Sequence, residues 1–343
     1  MLYNESASLI VKGKHMIHRI FIYRSQSLDP YFNIATEKHL LDSVREGECI
    51  LYLWQNQNTV VIGRNQNAWA ECRTSLLEQE GGKLARRLSG GGAVFHDLGN
   101  LNFTFLVSEQ DYNLDRQLKV IQTACAAVGI QAERSGRNDL LVDGQKFSGN
   151  AFFHSLGHAY HHGTLLVSAD MDKLSRYLTP SKAKLDAKGV ASVRSRVANL
   201  QGFYPGLTCQ QLSGLMEDAF SQVYGLTPEL IFLSDDALQS IQAYAAELQS
   251  WQWLYGPRLP FSFRCEARFP WGGIELQLQV ESGYIRSAQV YSDAMDWAFA
   301  DAVVEGLTDC RFALKDMCGA LATHVSDPQI CEDICQMLKQ QEL

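Results

Sequence analysis

The run Arg86–Asp97 carries the residue types best suited to binding an anion. Two adjacent arginines lead into three consecutive glycines, Gly90–Gly92, and an apolar segment follows them. Each glycine loses more backbone entropy on folding than any other residue, so three in a row are tolerated where backbone amides must approach a ligand closely. Guanidinium groups donate paired hydrogen bonds to phosphate or carboxylate oxygens. The run predicts a phosphate-binding loop. The alternative is a glycine-rich hairpin turn with solvated arginines.

Lys146 is the single residue that most suggests catalysis. It follows an Asp143-Gly144 turn and precedes the glycine-containing segment Phe147–Asn150. An ammonium group is a compact charge that can contact a carboxylate and a phosphate together. On the same predicted hairpin, Asn138 and Asp139 could hold Mg²⁺ near phosphates. Side chains of these two types more often cap local backbone, and a lysine after a hairpin is more often simply solvated.

Four histidines lie close together in the sequence, at positions 154, 158, 161 and 162. Only the second and the fourth have the i, i+4 spacing, and glycines at 157 and 163 argue against one continuous helix. Because a zinc site also needs cysteine or carboxylate ligands at defined spacing, we expect polar side chains that border a pocket rather than a metal site. No cysteine lies between residues 126 and 208, so Lys146 has no thiol nucleophile in its sequence neighbourhood.

Composition limits the possible functions. The 343 residues suggest about two domains, and a formal net charge of −8 argues against nucleic acids or anionic membranes as main partners. No apolar run approaches the roughly 20 residues that span a bilayer. Nine cysteines without a C-x-x-C pair are typical of reduced thiols in a cytoplasm. We treat residues 1–15 as an N-terminal extension outside the fold, because their apolar stretch is too short for a signal peptide.

Local signals predict several elements of a mixed α and β chain. Asp29-Pro30 is typical of a helix start, and Asp143-Gly144 predicts a tight β-hairpin. Thr208–Gln211 fits a capping box at the start of a second helix. The apolar segments 50–54 and 59–63, separated by four polar residues, predict another β-hairpin.

Two later regions have their own character. Within 181–200 there are five basic residues against one acidic residue, which predicts either a solvated loop or a flexible lid over an anionic ligand. Beyond residues 250–260, strict alternation over 274–280 and a turn predict a pair of strands. Helices are expected near 294–306, 312–324 and 327–341. This region predicts a small α+β unit.

Four motifs in this order resemble those of lipoate–protein ligases: residues 60–67 (VVIGRNQN), 86–100 (RRLSGGGAVFHDLGN), 136–139 (GRND) and 146–149 (KFSG). The segment 182–200 is similar to the adenylate-covering loop of that family. The resemblance implies an α+β fold. A catalytic domain related to biotin ligases and class II aminoacyl-tRNA synthetases, with a mixed β-sheet flanked by helices, would span 16–252. A small α+β accessory domain would span 253–343.

The resemblance also implies a two-step reaction. Lipoate and MgATP would give lipoyl-AMP and pyrophosphate, and the lipoyl group would then pass to a lysine of a lipoyl carrier domain. Carriers of this kind belong to 2-oxoacid dehydrogenase complexes or are the glycine-cleavage H protein. From the resemblance we also expect a requirement for ATP and Mg²⁺, a cytoplasmic location and a monomeric state. Neither nucleic acids nor membranes are expected partners.

Site residues carry over from the family by matching position. ATP contacts fall on Arg87, Gly92, Ala93, Val94, Phe95 and Lys146. Lipoate contacts fall on Lys146, Arg86, Ser89, Gly90, Gly91 and His96. Asn138 and Asp139 are linked to phosphate and Mg²⁺. The adenylate loop would contain Lys188, Gly189 and Val190. No metal site is expected from protein ligands alone. We also expect an apolar slot for the lipoate tail beneath the glycine run, lined from strands within 93–105.

Three alternatives stay open. An octanoyl- or lipoyl-transferase of the same superfamily would work without ATP through a cysteine thioester, which the cysteine-free stretch 126–208 disfavours. A biotin ligase would carry a different, arginine-interspersed glycine loop. A non-catalytic sensor that binds lipoyl-adenylate would not need the set Arg87, Asp139 and Lys146.

Overall fold

The computed structural model describes residues 16–136, 138–179, 197–256 and 262–341. Within these ranges the chain forms two β-rich layers and a separate C-terminal unit, with helices on the outer faces. The predicted α+β class, with a mixed sheet flanked by helices and a small C-terminal unit, is confirmed. Along the described residues, no helix is both long enough and apolar enough to cross a membrane.

The largest sheet has eight strands. They are β1 (Arg19–Arg24), β2 (Glu48–Trp54), β6 (Asn100–Ser108), β7 (Glu133–Ser135), β8 (Asp139–Val142), β9 (Gln145–Ser155), β10 (His158–Leu166) and β11 (Glu229–Leu230). Their order across the sheet is β11-β1-β2-β6-β10-β9-β8-β7. The sheet is mixed, because β1 is parallel to both of its neighbours while the pairs from β2 to β7 are antiparallel.

A second sheet carries the glycine run. Its strands are β3 (Thr59–Ile62), β4 (Lys83–Arg86) and β5 (Val94–His96), in the order β4-β3-β5. The glycine loop, defined as residues 87–93, therefore connects the two outer strands and passes the end of the central strand. It is not the turn of a hairpin.

The predicted hairpin of 50–54 with 59–63 is wrong. β2 pairs with β1 and β6 in the large sheet, whereas β3 pairs with β4 and β5 in the second sheet. Both strands are buried on both faces over nearly their whole length. Fully buried strands read as continuous apolar runs, which give no information about the partner strand. The four polar residues between β2 and β3 carry the chain from the large sheet to the second sheet instead of reversing it within one sheet.

Local signals at helix starts are confirmed. In α1 (Pro30–Ser43), the Asp29 carboxylate accepts hydrogen bonds from the amides of Tyr31 and Phe32 at 2.9 and 3.1 Å. Thr208 and Gln211 form the predicted capping box of α6 (Cys209–Tyr224). The remaining helices of the N-terminal part are α2 (Ala68–Glu71), α3 (Thr74–Gln79), α4 (Leu114–Ala126), α5 (Met171–Tyr177), α7 (Asp235–Leu248) and α8 (Trp251–Tyr255).

The predicted hairpin at Asp143-Gly144 is also confirmed. Both residues have positive φ, 49° and 75°, which is the conformation that a two-residue hairpin turn with the right-handed strand twist requires. The turn joins β8 to β9 and fixes the register that pairs Leu141 with Lys146. The register shifts between Leu140 and Leu141, so that Asp139 pairs with Gly149 and Lys146 lies near Asp139 at the start of β8.

The C-terminal unit consists of β12 (Phe263–Phe269), β13 (Gly272–Glu281), β14 (Tyr284–Ser292), α9 (Ala298–Leu307), α10 (Leu314–His324) and α11 (Pro328–Lys339). Its buried apolar residues, from Cys265 to Leu338, form a core of their own. The predicted strands and helices of this region are confirmed. The domain boundary at residue 252 stays a prediction; Leu254 and Tyr255 pack into the core beneath the second sheet.

The C-terminal unit packs directly on the glycine loop. The Gly91 amide donates to the Ala294 carbonyl at 2.8 Å, and the Ser292 amide donates to the Asn65 carbonyl at 2.8 Å. A Cβ added at Gly90 would lie 2.3 Å from the Ala294 oxygen. The first glycine of the run, Gly90, is thus needed for the close approach of two backbone segments.

Gly90→Ala is expected to destabilise the protein by about 1–3 kcal/mol, because the new methyl group overlaps backbone oxygen atoms that have no rotamer to relieve the clash. Urea denaturation measures the change. Gly214→Ala is the matched control: this glycine lies inside α6 with nothing within 4 Å of the added Cβ. That change should stabilise by about 0.5–1 kcal/mol. Equal stability of the two variants would contradict the packing role of Gly90.

Candidate functional site

A cleft of about 320 Å³ lies between the large sheet, the second sheet and the C-terminal unit. Its wall includes most of the glycine loop, the start of β5 and the Asp139–Lys146 side of the hairpin. The C-terminal unit contributes the remaining side. The lining residues are Ile34, Trp54, Val61, Arg87, Gly91, Gly92, Ala93, Val94, His96, Asn102, Asn138, Asp139, Lys146, Gly149, Asn150, Ala151, His162, Gly163, Thr164, Arg268, Gly272, Asp293 and Met295.

Lys146 forms an ion pair at the mouth of this cleft. Its Nζ lies 2.7 Å from Asp139 Oδ1, and each of the two side chains is 35 % exposed. A Cβ added at Gly149 would lie 3.1 Å from the same Nζ atom, so the absence of a side chain there makes room for the ammonium group. The charge is therefore held in place by a carboxylate and remains open to a ligand.

Asn138 is used mainly to hold the hairpin. Its Nδ2 donates to the Asn150 carbonyl at 3.0 Å, and the Asn150 side chain donates to the Asn138 carbonyl at 3.0 Å. Local backbone binding, the commoner role for such a residue, accounts for this amide. Among the residues that the structure describes, no group of three or more His, Cys, Asp and Glu side chains could hold a metal. A divalent cation here would depend on Asp139 and on ligand oxygens.

Arg87 lines the cleft but spends most of its donors on the loop. Its Nε donates to Ser89 Oγ at 3.1 Å, its Nη1 to the Val61 carbonyl at 3.3 Å, and its Nη2 to the carbonyls of Gly90 and Gly92 at 2.6 and 2.8 Å. Burial lowers the pKa of Arg87 to about 10. Because four of its five N–H groups are occupied within the described chain, Arg87 first of all shapes the glycine loop.

Arg86 points away from the cleft. Its side chain faces a second, smaller cavity between α8 and the C-terminal unit. This placement corrects the expectation that Arg86 contacts the same ligand as Lys146, because adjacent residues on a strand point to opposite faces. Its donors bind the backbone carbonyls of Gly63, Arg64, Gln66, Trp253 and Leu254.

The other predicted site residues also divide into those that line the cleft and those that do not. Gly91, Gly92, Ala93, Val94 and His96 line the cleft. Three more, Ser89, Gly90 and Phe95, are buried behind its wall. Lys188, Gly189 and Val190 of the expected adenylate loop lie outside the described residues, as does Arg137 of the GRND motif.

A buried hydrogen-bonded chain connects the loop to α1. His162 Nδ1 donates to Glu37 Oε1 at 2.8 Å, because a carboxylate oxygen can only accept. In the neutral ring Nε2 is then the acceptor, and the Ser89 hydroxyl, which itself accepts from Arg87, donates to it at 2.8 Å. Thr104 Oγ1 donates to the same carboxylate oxygen at 2.7 Å. The Glu37 side chain is fully buried, and its Oε1 binds one donor on β6 and one on β10.

The expected apolar slot is only partly apolar. Ile34, Trp54 and Val61 line the cleft together with two buried polar residues, His96 and Asn102. Burial, aided by the nearby Arg87 charge and by His162, lowers the pKa of His96 to about 3. This imidazole is therefore neutral at physiological pH.

Several functional candidates escaped the sequence analysis. Trp54 and Asn102 lie inside strands with no motif around them, and the C-terminal unit adds Arg268 to the wall. Glu37 did have a signal: it shares one helix face with Ile34 and Leu41, at i−3 and i+4, where an acidic residue is out of place. Of the four clustered histidines, His161 and His162 lie on β10; His162 lines the cleft, and His161 is fully buried.

Comparison with known proteins identifies the family. A model described as "Lipoyl protein ligase A/B catalytic domain" matches residues 29–221, more than half of the chain. The chain belongs to this family. A second model, "Bacterial lipoate protein ligase C-terminus", matches residues 259–338, so the C-terminal unit described above is also a known part of lipoate–protein ligases.

Solved structures agree in fold. LipL1 of P. falciparum, crystallised with lipoate, is 28 % identical with a TM-score of 0.82, over 94 % of this chain and 99 % of that one. The bipartite ligase of Thermoplasma acidophilum, described with its E2 lipoyl domain, is 25 % identical with a TM-score of 0.61, over 73 % of this chain and 100 % of that one. A lipoate-protein ligase A bound with ATP shares the fold at 23 % identity and a TM-score of 0.59, over 70 % of this chain and 99 % of that one.

Removal of His161 should flatten the pH dependence of stability. Burial lowers the pKa of this histidine from 6.5 to about 3, so at pH 5 the unfolded chain binds a proton that the folded chain does not. Folding stability therefore falls as the pH drops from 6.5 toward 3, by about 2 kcal/mol at pH 5 for this group. His161→Phe should lose about that much less between pH 7 and pH 5 in urea titrations. Phe152→Leu, which alters a ring packed on His161, is the control and should keep the wild-type slope; an unchanged slope in His161→Phe would contradict the burial effect.

Glu37→Gln is expected to lower the free energy of unfolding by about 1–3 kcal/mol, because the two donors on Oε1 lose a charged acceptor and the new NH₂ group, in the place of the unpaired Oε2, lacks an acceptor. Chemical denaturation at pH 7 measures it. Glu266→Gln, which breaks only an exposed pair with Arg264, is the control and should change stability little. If both variants behave alike, the buried carboxylate does not organise the site.

Proposed function

We propose that this chain is an ATP-dependent lipoate–protein ligase. In the first step, a lipoate carboxylate oxygen attacks the α-phosphorus of ATP, the bond to the β-phosphate oxygen breaks, and pyrophosphate leaves. In the second step, the ε-amine of a carrier lysine attacks the carbonyl carbon of lipoyl-AMP and AMP leaves. The observation that carries the proposal is the Lys146–Asp139 pair at the mouth of a cleft whose other wall is the glycine loop.

The first step brings two anions together, so it needs a positive charge placed between them. The Lys146 side chain is about one-third exposed at the cleft mouth, and Gly149 leaves space beside its ammonium group. A positioned ammonium offsets the repulsion between carboxylate and phosphate, and most of the remaining rate enhancement comes from holding the two reactants in line. The Lys146 side chain is thus assigned to the lipoate carboxylate and the α-phosphate together.

Mg²⁺ would be held by Asp139, with the other ligands coming from phosphate oxygens and water. This fits the donor set, since Mg²⁺ in nucleotide sites commonly takes only one or two carboxylates from the protein. When bound, the ion would neutralise the charge of the leaving pyrophosphate. Asn138 is assigned a supporting role, because its amide holds the backbone of the hairpin on which Asp139 lies.

The partners follow from the relatives. The P. falciparum protein was crystallised with lipoate, the Thermoplasma ligase is described with an E2 lipoyl domain, and ligase A was crystallised with ATP. We assign to this chain lipoate, ATP and lipoyl carrier domains of 2-oxoacid dehydrogenase complexes or the glycine-cleavage H protein. A monomer in the cytoplasm, with reduced cysteines, is the expected state.

A thioester-forming transferase is disfavoured. None of the cysteines of the described chain lines the cleft. The buried thiols of Cys72 and Cys125 have pKa values raised to about 12 by desolvation. A nucleophilic cysteine needs a lowered pKa and a neighbouring base, which these thiols lack.

Lipoate-dependent exchange of labelled pyrophosphate into ATP tests the proposal. Lys146→Ala should lower kcat/KM for exchange by at least about 100-fold, because one preorganised charge is removed from the transition state. Lys119→Ala, an exposed lysine on α4, should retain wild-type exchange. Exchange with biotin in place of lipoate would identify a biotin ligase. No exchange with either acid, together with acyl transfer from a carrier protein without ATP, would identify a transferase.

A further inference from the structure

The closed end of the cleft contains two buried polar groups without a partner. His96 is 3 % exposed and Asn102 is 1 % exposed, and both line the cleft. Within the described chain, neither His96 Nε2 nor Asn102 Nδ2 has a hydrogen-bond partner. A buried polar group left unpaired is costly, so each such group in a folded protein needs an explanation.

The unpaired atom of His96 is a donor. Asn33 Nδ2 donates to Asn56 Oδ1 at 2.9 Å, which leaves the Asn56 Nδ2 group to donate to His96 Nδ1, 3.2 Å away. Since the lowered pKa keeps the ring neutral, its single proton resides on Nε2. His96 therefore presents an N–H group.

The unpaired atom of Asn102 is a donor as well. Its Oδ1 accepts a hydrogen bond from Asn100 Nδ2 at 2.8 Å, so the amide oxygen faces its neighbour and the NH₂ group remains. The two donors flank one side chain: the Trp54 and His96 rings meet edge to face at 6.0 Å, and Trp54 pairs with Asn102 across β2 and β6.

These donors lie at the far end of the cleft from Lys146. Strand register places Trp54, Asn102 and Thr164 in one row across β2, β6 and β10. The row continues to Gly149 of β9, whose amide donates to Thr164 Oγ1 at 3.3 Å and whose empty side-chain position borders Lys146 Nζ. Asn102 is two strand spacings, about 10 Å, from Gly149. An extended eight-carbon acid held by its carboxylate at Lys146 covers that distance with its tail.

We propose that His96 Nε2–H and Asn102 Nδ2–H recognise the dithiolane sulfur atoms of lipoate and select it against octanoate, an inference that rests on the function proposed above. The disulfide sulfur atoms of the dithiolane ring, like other divalent sulfur, are weak hydrogen-bond acceptors, whereas the terminal methyl group of octanoate accepts nothing. Octanoate displaces water from the two donors and leaves them unpaired; lipoate displaces the same water and re-pairs them. Selectivity arises from the penalty on the wrong acid more than from the strength of the N–H···S contacts.

Equilibrium binding of the free acids without ATP tests this inference. Calorimetry with lipoate and octanoate gives the ratio of dissociation constants for the wild-type chain and for Asn102→Leu, which replaces the amide by an apolar group of similar shape. The dithiolane ring also buries more apolar area than the octanoate tail, which favours lipoate independently of the two donors. The test therefore depends on how the ratio of the two dissociation constants changes between the wild-type chain and Asn102→Leu. We expect Asn102→Leu to reduce the preference for lipoate roughly tenfold, mainly through tighter octanoate binding.

Gln117→Leu is the matched control. This glutamine on α4 is fully buried, its amide atoms also lack partners in the described chain, and it does not line the cleft. Its variant should keep the wild-type ratio. If Asn102→Leu does not fold, 8-hydroxyoctanoate serves with the wild-type chain, because its terminal hydroxyl can accept from the two donors and should bind about tenfold more tightly than octanoate.

The outcomes separate this inference from the proposed function. An unchanged lipoate-to-octanoate ratio in Asn102→Leu, or equal binding of octanoate and 8-hydroxyoctanoate, overturns the role of the two donors. Lipoate binding with the expected ratio but without pyrophosphate exchange overturns the ligase chemistry and leaves the recognition of the tail intact.

Discussion

The site depends on one buried carboxylate. Glu37 is fully enclosed; its Oε1 accepts hydrogen bonds from Thr104 and His162, on two strands of the large sheet, whereas its Oε2 has no hydrogen-bond partner within the described chain. Because Oε1 accepts the proton of His162 Nδ1, the other ring nitrogen of that histidine can only accept, and Ser89 must supply the hydrogen bond. Ser89 in turn accepts from Arg87, whose remaining donors hold the carbonyls of the glycine loop. The shape of the loop is thus fixed from inside the protein.

The same carboxylate fixes the far end of the cleft. Thr104 donates to Glu37 and accepts from Trp54 Nε1 at 3.1 Å, so the indole ring that separates the two unpaired donors cannot rotate without breaking this chain. The glycine loop and the closed end of the cleft around Trp54 are therefore both held by Glu37, although they lie on different sheets. A substitution at Glu37 is therefore expected to disturb both the glycine loop and the closed end of the cleft, whereas a substitution at Lys146 affects the mouth alone.

Sequence reasoning succeeded where the physics is local. The cap at Asp29, the capping box at Thr208 and the Asp143-Gly144 turn all depend on residues within four positions of one another, and each was confirmed. It failed where the answer depends on partners distant in sequence. The hairpin predicted between 50–54 and 59–63 was wrong because burial on both faces removes the pattern that identifies a partner strand. Arg86 and Arg87 look equivalent in sequence, yet strand alternation sends only the second into the cleft.

The charge distribution of the cleft sets the direction in which an amphipathic acid enters. The mouth carries the Lys146 ammonium, still in contact with solvent. The closed end carries a histidine whose pKa is lowered to about 3 and an uncharged amide. A carboxylate placed at the closed end would lose its hydration and meet only the neutral N–H donors of His96 and Asn102 there, which cannot offset that cost. A carboxylate at the mouth keeps both water and an ammonium partner. We therefore expect the tail to enter first, which brings the only group of the acid that can be activated to the side where a nucleotide and a carrier lysine can reach it.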